Sequence, residues 1–137
     1  MLLESTMTPQ ELRARTKNFA IDAIHFCIAL PPKDAERVIG RQLLRAGTSV
    51  GANYRAVCRA RTDREFIAKL GLTIEEADES AYWIEILVES GLLTLAVTAK
   101  LHKEAEELTR IFVASRETAR RNQPHCGGKS RRRESPS

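Results

Sequence analysis

Ile39, Leu43, Ala46, Val50 and Val57 recur at steps of three and four residues, with Asn53 on the one beat of that series that is polar. This is the period of an amphipathic helix with one buried stripe. Three other stretches carry the same pattern. Leu12, Phe19, Ala23, Phe26 and Leu30 form the first stripe. Phe66, Leu70, Ile74, Ala77, Ala81, Ile84 and Val88 form the third. Leu101, Ala105, Leu108 and Phe112 form the fourth, which weakens where Ser115 takes the next beat. No stretch alternates with period two.

Boundary residues divide the pattern into four segments. Thr8-Pro9-Gln10-Glu11 combines an N-cap, a proline at the first helical position and a capping-box glutamate, and Pro31-Pro32 ends the first helix. Asp34 is expected to cap a second helix that runs to about Arg61. Thr62-Asp63-Arg64-Glu65 is a second capping box, and Gly91 closes the third helix. The fourth begins near Thr94 or Leu95 and frays near Arg120. Helices of about 22–28 residues span about 33–42 Å at 1.5 Å per residue. Matched lengths and short connections predict an all-α, antiparallel up-down-up-down four-helix bundle over residues 8–120. Residues 1–7 form a short N-terminal extension, and residues 121–137, with Pro, Gly and Ser but no apolar period, read as a disordered basic tail.

Within the second helix, Ala46, Gly47, Thr48, Ser49 and Gly51 form a cluster of small residues. Glycine costs about 1 kcal/mol relative to alanine inside a helix. Two glycines in an unbroken period therefore point to a close approach by another backbone, with Ala46, Gly47, Val50, Gly51 and Asn53 as helix-packing residues. Asn53 either hydrogen-bonds across helices and fixes their register, which is the favoured placement, or sits at the bundle margin. The Gly47–Gly51 spacing lacks the Lys-Ser/Thr and the preceding strand of a phosphate-binding loop. In the third helix Tyr82, Trp83, Ile86 and Leu87 flank the core stripe. An apolar surface beyond what one bundle needs reads as an oligomer interface.

Charge is unevenly placed. Residues 120–137 carry +5 against a whole-chain net of +4, which leaves the rest of the chain near −1. The second helix holds six arginines against two acids, and the third holds eight acids against two basic residues. Arg37, Arg41, Arg45, Arg55 and Arg59 have two readings. They pair with acids of the third helix, which is favoured, or they line a groove for phosphates together with Arg131, Arg132 and Arg133 of the tail. Tyr54 alone interleaves with them, a thin platform for stacking bases. The opposed charges, together with the apolar surplus, favour a heterologous contact that closes a ring.

Candidate chemistry changes this picture little. The chain has no nucleophile–base pair, no phosphate loop and only one Asp-x-x-His turn, Asp22 to His25, so no catalytic, cofactor or metal residues are assigned and no small-molecule substrate is expected. His125-Cys126 lacks a partner pair at zinc spacing. Three scattered cysteines, no secretory leader and no apolar run long enough to span a bilayer lead to a cytoplasmic expectation without membrane partners.

The run QLLRAGTSVGANYRAV, then EFIAKL, then EEADESAYWIEIL resembles a bacterial four-helix-bundle family whose members are labelled as proteins encoded in intervening sequences of large-subunit ribosomal RNA genes. The likeness extends from about Arg13 to Ala119. It implies a small cytoplasmic bundle that assembles with itself, commonly as a pentameric ring, without enzymatic activity. That family is distantly similar to the accessory protein of diversity-generating retroelements, a basic pentameric bundle that binds nucleic acid and a reverse transcriptase. The chain departs from that relative because its body is not basic overall. The expectation is a non-enzymatic, ring-forming scaffold with RNA or an RNA-handling protein as partner. The alternative is a nucleic-acid-binding accessory protein of a reverse transcriptase.

Overall fold

The computed structural model describes residues 7–122. They form α1 (Pro9–Ile28), α2 (Asp34–Cys58), α3 (Asp63–Glu89) and α4 (Leu95–Asn122), and no strand occurs among the described residues. The basic tail from residue 123 onward, including Arg131, Arg132, Arg133 and His125-Cys126, lies outside them, as do residues 1–6.

The helix starts follow from short-range chemistry. Thr8 Oγ1 accepts the Glu11 N–H at 3.0 Å, and the Glu11 carboxylate accepts the Thr8 N–H at 2.9 Å, closing the capping box before Pro9. At α3 the box is only half made. Thr62 accepts from the Glu65 N–H, but the Glu65 carboxylate reaches the Arg61 N–H instead of that of Thr62. Two expected boundaries move. The N-cap of α2 is Lys33, in extended conformation and without a side-chain cap, and Asp34 sits inside the first turn, where its charge favours the helix dipole. The same helix ends at Cys58 and not near Arg61, because the extended Thr62 cap needs a short turn before it. Gly91 closes α3 with φ +82°, and the N–H groups of Leu92 and Leu93 return to the Leu87 carbonyl at 3.0 Å.

Each helix packs on the next in sequence, and α1 also touches α4 along a looser seam. Arg15 clamps that seam. Its guanidinium donates to both oxygens of Glu104, at 2.6 and 2.8 Å, and to Glu107 at 2.7 Å, a fork that matches carboxylate geometry. Leu30 lies against Gly40, Ala23 against Gly47 and Thr16 against Gly51, so positions fall along α1 as they rise along α2. His102 meets Glu85, and Arg116 approaches Gly71, in the same inverse sense for α3 and α4. These pairs are consistent with an up-down order.

Phe19, Leu43, Val50, Leu70, Ile84, Leu108 and Phe112 are fully buried in the core. Tyr54, not Asn53, fills the apolar beat of α2. Its ring lies 5.3 Å from that of Phe112, while Asn53 is half-buried at the margin. The buried hydroxyls of Thr16, Thr73 and Ser80 donate to carbonyls one turn back, at 2.8–3.0 Å, and so need no partner on another helix.

α1 and α2 approach closely at the glycines of α2. A Cβ at Gly47 would stand 3.0 Å from the Ala23 Cβ, and one at Gly51 would stand 3.3 Å from the backbone oxygen of Thr16. The small residues thus admit a helix of the same chain. Gly47→Leu is expected to lower stability by about 1–3 kcal/mol or more through overpacking, measured by urea unfolding. An unchanged midpoint would contradict close packing at this site.

Candidate functional site

The outer side of the α1–α2 contact is a groove of about 770 Å³. Because the two backbones lie close and the outward residues Ala14 and Ala52 are small, its floor is low. Its walls are long cations, Arg13 and Lys17 from α1, Arg55 from α2 and Arg59 at the C-cap of α2. No carboxylate lines it, and none of these four makes an ion pair among the described residues. Arg55 and Arg59 also border a second hollow of about 600 Å³, beside Arg61, Lys69 and Glu65. Glu65 is engaged there, by Lys69 at 3.9 Å and by the Arg61 N–H.

The five arginines singled out on α2 divide three ways. Arg55 and Arg59 enter the basic groove. Arg37 and Arg41 border a separate cleft of about 350 Å³ at the other end of the α1–α2 face, with Ile24, Ile28 and Leu44. Arg45 turns to α3, where it meets Glu76 at 3.3 Å and Glu79 more closely. Pairing with the acids of α3, the favoured assignment from sequence, therefore holds for Arg45 alone. Helix rotation explains this. At 3.6 residues per turn, positions 37, 41, 55 and 59 fall within about 40° of one another, and position 45 lies about 40° further round, towards α3.

Arg13 and Lys17 carry half of the groove and were not among the residues singled out from sequence. Their four-residue spacing was visible, but nothing in one helix states which neighbour it flanks. Tyr54 offers no base-stacking surface, since it is 6% exposed and burial pushes its phenol above the usual range. Cys27 donates towards the Gly40 carbonyl at 3.4 Å, and burial pushes its thiol up to about 11, which leaves it protonated and unreactive at neutral pH. Cys58 is exposed beside the groove.

On α3 the structure separates the four residues expected to form an interface. Leu87 is fully buried in the chain's own core, so it offers nothing to a partner. Trp83 packs partly buried against that core, Ile86 is half-buried, and Tyr82 is 50% exposed. The stripe of α3 is wider than one row, and Leu87 belongs to its inner edge. A further exposed apolar stripe lies on α1, where Ile21, Ile24 and Ile28 share one face, Ile28 at 75% exposure.

Among the described residues, Glu85, His102 and Glu106 bring donor atoms close enough for a cation. His102 Nε2 lies 2.7 Å from Glu85 and Nδ1 lies 3.8 Å from Glu106, so the ring already has a carboxylate partner tying α4 to α3.

Trp83 donates its indole N–H to Glu79 at 3.0 Å, and the same carboxylate meets Arg45. The indole bond first, and then Arg45, hold the Glu79 carboxyl below the usual carboxylate range. A lowered folded-state pKa stabilises the fold above the unfolded value, about pH 4.3 for glutamate, and that contribution is lost as pH falls through the folded value. Trp83 emission should therefore change in an acid step below about pH 4 that Glu79→Gln removes. A step that survives in Glu79→Gln would contradict the linkage.

The model of a family described as 23S rRNA-intervening sequence protein matches residues 10–114, a span that contains the whole groove. No curated protein matches the chain. Among solved structures, the chain is similar to a protein of unknown function from the S23 ribosomal protein family of Bacteroides thetaiotaomicron. The two are 27% identical with a TM-score of 0.74, over 81% of this chain and 99% of the other.

Proposed function

The chain belongs to the 23S rRNA-intervening sequence protein family, and on that premise we propose that it is a non-enzymatic scaffold that associates with copies of itself and has RNA or an RNA-handling protein as partner. The contact register between successive helices supports the antiparallel up-down-up-down order for each subunit. Free Cys27 and Cys58 suit a reducing cytoplasm, and among the described residues no helix is long and apolar enough to cross a membrane.

The observation that carries self-association is the exposed stripe Ile21, Ile24 and Ile28, bordered by Arg37 and Arg41 in the adjoining cleft. The outer face of α3 complements it. Leu72 and Tyr82 are exposed there beside Glu75 and Asp78, which make no ion pair among the described residues. An apolar-basic face meeting an apolar-acidic face joins two different surfaces, and such a contact closes into a ring when the rotation allows. The resemblance to the family favours five copies. The basic groove favours nucleic acid over a purely structural role, and it also keeps open an accessory role beside a reverse transcriptase.

Light scattering should give a particle mass several times 15.4 kDa for the wild type. Ile24→Glu/Ile28→Glu should give a monomer with unchanged helix content. A wild-type monomer at every concentration, or a double variant that assembles normally, would contradict the reading.

A further inference from the structure

We infer that the α1–α2 groove binds the sugar-phosphate backbone of a base-paired nucleic acid. This rests on the nucleic-acid part of the proposed function and assigns it a site and a ligand form. It requires no assembly of subunits.

Three observations converge on this ligand. The first is charge without compensation. Arg13 and Lys17 stand one turn apart on α1, and Arg55 and the C-cap Arg59 about one turn apart at the end of α2, with no carboxylate lining the space between the two pairs. Like charges four residues apart destabilise a helix slightly. The fold gains nothing from gathering them, whereas a polyanion repays the arrangement by releasing its counterions.

The second is shape. Each pair is separated by about 6 Å along its helix, and the low floor between Ala14 and Ala52 leaves both rows of cations standing along an open trough. Arg55 and Arg59 continue the basic surface round the end of α2 to Arg61 and Lys69, where Glu65 is already engaged. The surface therefore follows a path and is longer than a pocket for one small anion.

The third decides between ligand forms. Grooves that hold single strands combine cations with aromatic side chains on which unpaired bases stack. No aromatic residue lines either hollow, and Tyr54, the sole aromatic of α2, is turned into the core against Phe112. A duplex keeps its bases paired and presents phosphates alone, which is what this surface can engage. Binding is then insensitive to sequence and steeply dependent on salt.

The test uses the full chain and a fluorescent RNA duplex of about 20 base pairs, with anisotropy read from about 50 to about 200 mM KCl. Arg13→Gln/Lys17→Gln/Arg55→Gln/Arg59→Gln should weaken binding at least about tenfold and flatten the slope of log K against log salt by about 3–4, or about 0.9 per lost phosphate contact. A charge-matched variant elsewhere, Arg64→Gln/Lys100→Gln/Lys103→Gln/Arg110→Gln, whose positions are exposed and lie outside the groove, should change both far less. Arg13→Lys/Arg55→Lys/Arg59→Lys should keep binding, because phosphate contacts need charge more than shape. This variant also separates loss of contact from loss of fold.

Equal losses in the two quadruple variants would overturn the inference. So would binding abolished by Arg131→Gln/Arg132→Gln/Arg133→Gln while the groove variant binds normally. A single strand bound as tightly as the duplex would overturn it, as would displacement by polyglutamate as effective as by unlabelled duplex. Absence of any nucleic-acid binding at the lowest salt would remove both this inference and the nucleic-acid part of the proposed function, while self-association would stand on its own mass measurement.

Discussion

At Gly47 a methyl group would stand 3.0 Å from the Cβ of Ala23, and at Gly51 it would stand 3.3 Å from the carbonyl oxygen of Thr16. This contact, where α2 carries no side chain, sets the distance between α1 and α2. On the inner side it lets Phe19, Leu43 and Val50 meet in the core. On the outer side it brings the cations of two helices to opposite walls of one groove. Two glycines cost about 1 kcal/mol each in helix propensity. The return is a close helix pair that shapes both the interior and the surface.

The remaining seams are held by other means. The looser α1–α4 seam has the Arg15 fork on Glu104 and Glu107, and Arg45, Glu79 and Trp83 tie α2 to α3. Glu85 and His102 do the same for α3 and α4. These ion pairs are partly exposed, and each contributes little to stability alone. Their role is to fix the rotation of the helices about their axes, and that rotation decides which charges remain for a partner.

Much of the fold was legible in the sequence because caps and stripes are local. Thr8, Pro9 and Glu11 state where α1 begins, and Leu101, Ala105, Leu108 and Phe112 state which side of α4 faces inward. Rotation between helices was not legible. The sequence could not say that Tyr54 would take the beat assigned to Asn53, or that Leu87 would lie inside the core. Both departures come from stripes slightly broader than a single row, where neighbouring positions compete for the same buried side. The groove was half legible. Arg55 and Arg59 were named as candidates, but Arg13 and Lys17 join them only through the pairing of two helices.

The α1–α2 face thus has two halves, a groove walled by four cations at one end and isoleucines bordered by Arg37 and Arg41 at the other, and the account stands on the groove meeting a nucleic-acid backbone. Arginine footprinting with a dicarbonyl reagent, read by mass spectrometry with and without duplex RNA, tests this most directly. The account predicts protection of Arg13, Arg55 and Arg59 while Arg64 and Arg110 stay as reactive as in the free protein. Uniform protection of all five, or reactivity at Arg13 and Arg55 unchanged by a bound duplex, would contradict it.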